Sequence, residues 1–170
     1  MQPASDDWVN IDSRPIDISA AHDYLASESK ESGATVLFLG RVREYTDPQN
    51  TGYSDQSPQV ERGGKRVVHT PELIYECYPA MAIQSIQKLL ADARQRWPLL
   101  RLVLHHRLGR LKAGEIAILI GVTSRHRAAA YAANEFLIEQ VKQRVPVWKR
   151  EIYGSGSAAW VHPLPATNSR

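Results

Sequence analysis

Apolar residues recur along this chain with two different periods, and the switches between them mark its elements. Trp8 to Asp12 reads as a short edge strand, followed by a helix whose apolar residues Ile18, Ala21 and Leu25 repeat at three and four. Ser19 is its expected cap, and the helix is expected to end near Gly33. From Ala34 to Glu44 the run Ala-Thr-Val-Leu-Phe-Leu-Gly-Arg-Val-Arg-Glu is β-rich and apolar on both sides, which predicts a buried strand. Gly40 marks a bulge or a close approach within it, and strand alternation places Arg41 and Arg43 on one face at its exit.

The second half follows the same logic. Glu72 to Tyr78 alternates as a strand, and Pro79 opens a helix running to Trp97, with Ile83, Ile86, Leu89, Leu90, Ala93 and Trp97 along one side; Pro98 closes it. Leu100–Leu108 and Glu115–Thr123 read as two strands joined by a turn over Gly109–Gly114. Thr123 or Ser124 is then expected to cap the longest helix, Arg125 to about Val145, which Pro146 ends. Between these halves, Tyr45 to Thr70 is almost free of apolar residues before Val67 and is longer than an ordinary connection. It reads as a mobile loop or lid.

Composition narrows the picture modestly. At 170 residues the chain has room for one domain with a proper core, and a net charge of +3 suits an anionic substrate or an acidic protein partner without amounting to a nucleic-acid signature. Cys77 is the only cysteine, which excludes an internal disulfide or a zinc knuckle and suits a cytoplasmic protein. Residues 1–10 form a polar tail without the apolar core of a signal peptide, and no run approaches membrane-spanning length. Cys77, in an apolar strand with no activating neighbour in sequence, reads as an inert thiol. His105 and His106 point to opposite faces of their strand, so they cannot share a metal ion and read as structural.

The stretch richest in chemistry is Gln140 to Glu151. Pro146 leaves Lys142 in the last helical turn and Lys149 in whatever follows, so two amines converge on one helix exit beside Arg144 and Arg150. Basic residues in a last turn ordinarily just complement the helix dipole. A lysine crowded by other cations is more easily deprotonated, however, and then serves as a base or nucleophile; the same group also holds anions. At the other end of the helix Arg125, His126 and Arg127 surround amides that attract anions, where acidic residues would be usual. His126 and Lys142 are sixteen residues apart, roughly 24 Å along a helix, so one small ligand cannot touch both in one chain. Either there are two sites or a twofold dimer brings the two helix ends together; we favour the dimer.

Several segments together, Gly33 to Arg43, Glu76-Cys-Tyr-Pro79, Arg96-Trp-Pro98, His106-Arg-Leu-Gly109, Gly114-Glu115, Gly121-Val-Thr-Ser124, His126-Arg127 and Val145-Pro-Val-Trp-Lys-Arg-Glu151, resemble the large, catalytic subunit of molybdopterin synthase, the MoaE family. The resemblance runs from about Gly33 to Ile152, interrupted by the 45–70 segment. It implies an α+β fold of the α/β hammerhead type, with a mixed or antiparallel sheet, three main helices and a small β subdomain. A single domain over residues 11–162, with a tail at 163–170, is the matching organisation.

The resemblance further implies a homodimer with composite active sites, each large subunit capped by a small ubiquitin-like sulfur carrier to make a heterotetramer. The reaction implied is sulfur transfer: two sulfurs pass from the carrier's C-terminal thiocarboxylate to cyclic pyranopterin monophosphate, with no metal or bound cofactor. Carried over by position, Lys142 corresponds to the principal catalytic lysine and Lys149 to the second. Arg43 and Arg150 are substrate-binding, His126 and Arg127 form an anion pair given to the neighbouring subunit, and Phe38 is an aromatic lining residue or simply a packing one. The competing reading is a binding module for RNA or an acidic protein; its weakness for RNA is that the few aromatics do not interleave with the cations.

Overall fold

Two strands carry the most apolar stretches of the chain because their sheet is covered on both faces. The computed structural model describes residues 7–27, 30–47 and 59–161. The elements in order are β1 (Asp7–Asp12), α1 (Ile18–Ala26), β2 (Ala34–Arg41), β3 (Tyr45–Thr46), β4 (Gln59–Arg62), β5 (Lys65–His69), β6 (Glu72–Cys77), α2 (Pro79–Arg96), β7 (Leu99–Arg107), β8 (Gly109–Lys112), β9 (Ile116–Ser124), α3 (Arg127–Arg144), β10 (Val147–Ile152) and β11 (Ala158–Val161). The main sheet has the order β1-β7-β9-β2, with β1 parallel to β7 and the other pairs antiparallel. Alternation sends Leu102, Leu104, Ile118, Ile120 and Val122 to the face covered by α2 and α3. Val103 and Leu119 go to the face covered by α1.

A second sheet, β11-β10-β6-β8, is antiparallel throughout, and a third, β3-β5-β4, is small. The α+β class, the three main helices and the small β unit agree with the expectation. Trp8–Asp12 indeed lies in an edge strand, which starts at Asp7 and so takes residues 7–10 out of the expected tail.

Four local expectations are corrected. Asp17, not Ser19, caps α1 by accepting from the Ala20 amide at 2.9 Å, and the helix stops at Ala26, where the Ser27 amide closes on the Asp23 carbonyl. Neither Thr123 nor Ser124 caps α3, because β9 runs on through both. Thr123 Oγ1 accepts from the Arg101 amide and Ser124 Oγ donates to the Pro98 carbonyl, so both hydroxyls are already used, and His126 stands at the cap position. Within the expected turn 109–114, Gly109–Lys112 is a strand whose Leu111 is fully buried opposite Leu73. The real turn is Ala113-Gly114, where Gly114 takes φ 88°.

The fourth correction concerns the polar segment. Residues 59–69, expected as part of a long mobile loop, form the β4–β5 hairpin around Gly63 and Gly64, both at positive φ, while Tyr45–Thr46 adds a strand on the other side of β5. The anchor is Val68, 1% exposed, together with Thr46 and Thr70, whose buried hydroxyls are 3.3 Å apart. Three anchors suffice for a small sheet that an apolar-periodicity reading passes over. Residues 48–58 lie outside the described residues.

Gly33 shows how tightly the start of β2 meets the start of α3. Its amide donates to the Ser124 carbonyl at 3.1 Å, and a Cβ there would sit 2.3 Å from the Arg125 carbonyl oxygen, a backbone atom with no room to yield. Gly33→Ala is therefore expected to destabilise the fold by about 1–3 kcal/mol. Urea denaturation of the two proteins measures it, and equal midpoints would contradict the close approach.

Candidate active site

The longest helix is pinned to the sheet at its middle. Asn134, 5% exposed, donates its side-chain amide to the Ile120 carbonyl at 3.0 Å, within 3.5 Å of the Val36 carbonyl as well. Those strands run antiparallel, with Ser124 opposite Ala34 at one end and Ile118 opposite Gly40 at the other. Since α3 starts just after Ser124, it runs back over the sheet and exits at the Gly40 end. There the Val145 amide closes on the Val141 carbonyl, Val145 turns extended at φ −94° and ψ 121°, and Pro146 leads into β10.

Lys142 lies in the last turn of α3, exposed, and makes no ion pair or side-chain hydrogen bond among the described residues. The other cations expected beside it are committed elsewhere. Arg144 pairs with Asp92 on α2 at 2.7 Å. Arg150 alternates to the opposite face of β10 from Lys149, with its guanidinium carbon 5.6 Å from the Trp160 ring. Arg150 thus stands across the strand from Lys149 and not beside it. The exit thus presents one unpaired amine, not four clustered cations.

Lys149 faces inward, where its Nζ donates to Glu151 Oε1 at 2.9 Å. Glu151 is 1% exposed, and its second oxygen has no hydrogen-bond partner among the described residues. Tyr75 stands directly across from Lys149 on β6. Burial and the neighbouring Glu151 charge push its phenol up to about 12, with Arg43 pulling the other way. Arg43, exposed, is therefore near enough to act on this group electrostatically. Its segment is held by Val42, whose amide donates to the Glu115 carbonyl and whose carbonyl accepts from the Gly114 amide. Arg41 instead donates to the Gly114 carbonyl at 2.8 Å; β2 has a register shift at Gly40/Arg41 and ends there, so strand alternation does not carry to Arg43.

Phe38 lies on the same face as Gly40, partly buried against the main core. A Cβ on Gly40 would come within 3.2 Å of the Phe38 ring and 2.5 Å of Ile118 Cγ2, so the glycine makes room for the aromatic side chain at this end of the sheet. His126 and Arg127 are exposed at the far end of α3 without a partner among the described residues, whereas Arg125 pairs with Glu31 at 2.5 Å. The fold brings Arg43, Tyr75, Lys149 and Glu151 together, puts Lys142 and Phe38 at the same end of the sheet, and leaves His126 and Arg127 roughly 24 Å from Lys142 along the helix.

Sequence reasoning missed Tyr75 and Glu151 as members of the site. For Glu151 a signal existed: two residues from Lys149 in a strand means one face. Tyr75 is two residues before Cys77, but only strand pairing sets it opposite Lys149. Behind Tyr75 lies His106, its ring centroid 5.1 Å away and its Nδ1–H donated to the Arg107 carbonyl at 3.0 Å. Burial pushes His106 down to about 4 and raises the Cys77 thiol, as suits structural roles. Two concavities, of about 270 Å³ between β1, α1 and β7 and about 230 Å³ between His69 and Gly154, lie elsewhere. Among the described residues no His, Cys, Asp and Glu side chains group as metal ligands, and no helix is long and apolar enough to cross a membrane.

An α+β fold presents a lysine at a helix exit, free among the described residues, and holds a second lysine on a buried carboxylate, groups that suit an enzyme transferring an anionic group. The chain belongs to the MoaE protein family, whose pattern it matches over residues 11–144, and so to the transferases of molybdenum cofactor biosynthesis. It is 40% identical over 134 residues to the molybdopterin synthase catalytic subunit of Bacillus subtilis, covering 79% of this chain and 73% of that one. Molybdopterin synthase from Staphylococcus aureus has the same fold, with a TM-score of 0.71 at 33% identity over 89% of this chain and 94% of that one. A complex of subunits 1 and 2 of the molybdopterin-converting factor from Helicobacter pylori also shares it, with a TM-score of 0.63 at 20% identity, over 95% and 91% of the two chains.

Two titrations check the electrostatics. Tyr75 is expected to ionise near pH 12, followed by tyrosinate absorbance and assigned with Tyr75→Phe, and Glu151→Gln should lower that value by removing a repelling charge; an unchanged value would separate the two groups. His106 is neutral in the fold but takes a proton near 6.5 once unfolded, so the unfolded state binds more protons between about pH 6.5 and 4. Stability should fall as pH falls through that window, by up to about 3 kcal/mol, and His106→Leu should flatten the urea-midpoint profile.

Proposed function

We propose that this chain passes sulfur from the C-terminal thiocarboxylate of a small ubiquitin-like carrier to cyclic pyranopterin monophosphate, twice, to build the dithiolene of molybdopterin. Family membership supports the reaction, and one observation carries the assignment of its centre. Lys142 is the cation at the helix exit left without a partner among the described residues, at the end of the sheet where Phe38 and Gly40 lie and just beyond which Arg43 follows β2.

The incoming sulfur is the nucleophile, so the protein needs no cysteine of its own. It needs cations for a phosphate and for the carrier's carboxyl end, and an amine close to the reacting carbons to move a proton. Lys142 supplies the amine. Lys149, held at 2.9 Å by Glu151, is fixed in place, and Arg43 adds charge beside it. After each transfer the hydrolysed carrier departs as a carboxylate and a charged carrier replaces it.

The substrate's phosphate calls for a further cationic site, and His126 and Arg127 are unpaired but too distant in the same chain. A twofold dimer that sets the start of one α3 beside the end of the other gives two composite sites, each with its own carrier. The Helicobacter pylori subunit complex supports a partnered assembly of this fold. A cytoplasmic address suits a chain whose one cysteine is partly buried and unreactive by environment.

Lys142→Ala, compared with the native protein in the same dimeric state, is expected to lower dithiolene formation by at least about 100-fold. Lys149→Ala should lower it less. An inactive native protein, given a carrier competent with a known synthase, would defeat the sulfur-transfer reading; a fully active Lys142→Ala would defeat the assignment of its centre.

A further inference from the structure

The face of the main sheet turned away from α3 holds a cavity that sulfur transfer does not use. Alternation along β7 puts His105 with Val103 on the side covered by α1. On the neighbouring strand β1, Asn10 pairs with His105, and Trp8 and Asp12 follow on the same face, one alternation either way. The connection from Arg14 to Asp17 completes the wall, and the cavity so bounded by the described residues has a volume of about 270 Å³. That is room for about nine atoms at the volume a water molecule takes in the liquid.

Two observations point to a ligand and to its charge. His105 is 4% exposed and forms part of the cavity wall, yet its Nε2 has no hydrogen-bond partner among the described residues; its ring only meets the Trp8 ring edge-on at 4.4 Å. A buried imidazole without a hydrogen bond is costly, and a donor seated beside it relieves that cost. Burial lowers the proton affinity of His105, with Asp12 pulling the other way, so the ring is neutral at pH 7 and offers a lone pair. The second observation is the rim, which sets the carboxylates of Asp12 and Asp17 against one cation, Arg14.

Arg14 itself shows what these groups hold. Its Nε donates to Asp12 Oδ2 at 2.8 Å and its amide to Oδ1 at 2.9 Å, while the side chain is 81% exposed. An ion pair so exposed contributes little, so another cation replaces this guanidinium at small cost. The indole of Trp8 adds an aromatic wall of the kind that favours a cation.

We propose that this cavity binds a small organic cation, a guanidinium or primary ammonium compound, which takes the Asp12 carboxylate from Arg14 and donates a hydrogen bond to His105. Arg14 is the stand-in that leaves when the ligand arrives, and Asp17 supplies a second negative charge from the cap of α1. A free compound and the basic side chain of a peptide share this chemistry; the enclosed volume favours the free compound.

The test follows the His105 ring protons and the Trp8 indole N–H by NMR in the full chain as agmatine, which carries both cationic groups, is added at constant ionic strength. Saturable shifts with a dissociation constant on the order of 1 mM or tighter are expected. Arg14→Ala should tighten binding by about threefold by freeing Asp12. Asp12→Asn should weaken it by at least about tenfold. Asp17→Asn keeps a good helix cap while removing the charge, so the loss of about threefold expected there does not reflect unfolding. No saturable shift in the native protein and in Arg14→Ala overturns the site, as does unchanged affinity in Asp12→Asn. Shifts that sodium chloride reproduces overturn it as general screening. Shifts with a capped glycyl-arginyl-glycine peptide but not with agmatine assign the cavity to a peptide side chain and overturn the small-molecule site. None of these readouts depends on sulfur transfer.

Discussion

The placement of one helix governs most of what this protein presents to a ligand. Asn134 bonds the middle of α3 to a backbone carbonyl of the sheet, and Pro146 ends the path of the chain along it. A buried side-chain amide left unbonded costs free energy, so the helix cannot slide without losing that bond. With the middle fixed, both ends are fixed. One end presents Lys142 beside the exit of β2, and the other presents His126 and Arg127 to solvent.

From the helix exit the chain must become a strand, and that change of period divides its residues between two faces. Val147, Lys149 and Glu151 turn one way, Trp148 and Arg150 the other. The buried Glu151 is tolerable because Lys149 balances its charge; without the lysine the carboxylate would be an uncompensated charge beside Tyr75. The motif that looks like a cluster of positive charge in sequence is in space a matched pair, a lone amine and an arginine committed to an aromatic neighbour. Arg144, taken by Asp92, completes that redistribution.

A site built this way is open in one chain. Lys142 is exposed at the end of α3, and His126 and Arg127 are exposed at its start, roughly 24 Å away along the helix. Assembly offers a way to enclose the substrate, with symmetry supplying the missing cations and a carrier supplying the reacting tail. On the proposed reading, this chain carries the amines while the neighbouring subunit and the carrier bring the phosphate ligands and the sulfur.

Much was legible in the sequence because local physics determines it. Pro79, Pro98 and Pro146 delimit the two long helices by removing donors and restricting φ, and the apolar runs of β7 and β9 mark strands covered on both sides. The helix rise alone separates His126 from Lys142, and the ordered motifs carried the family. What required tertiary structure was every pairing between distant segments. Ser124 looked like a cap until the strand extended through it; Leu111 fell in an expected turn and Val68 in an expected loop until Leu73 and the hairpin buried them. Tyr75 joined Lys149 only through β6–β10 pairing, and β10–β11 pairing set Arg150 beside Trp160 on the other face. Periodicity assigns a residue to a face of its own element, but which element lies opposite is decided by the energy of covering those faces together.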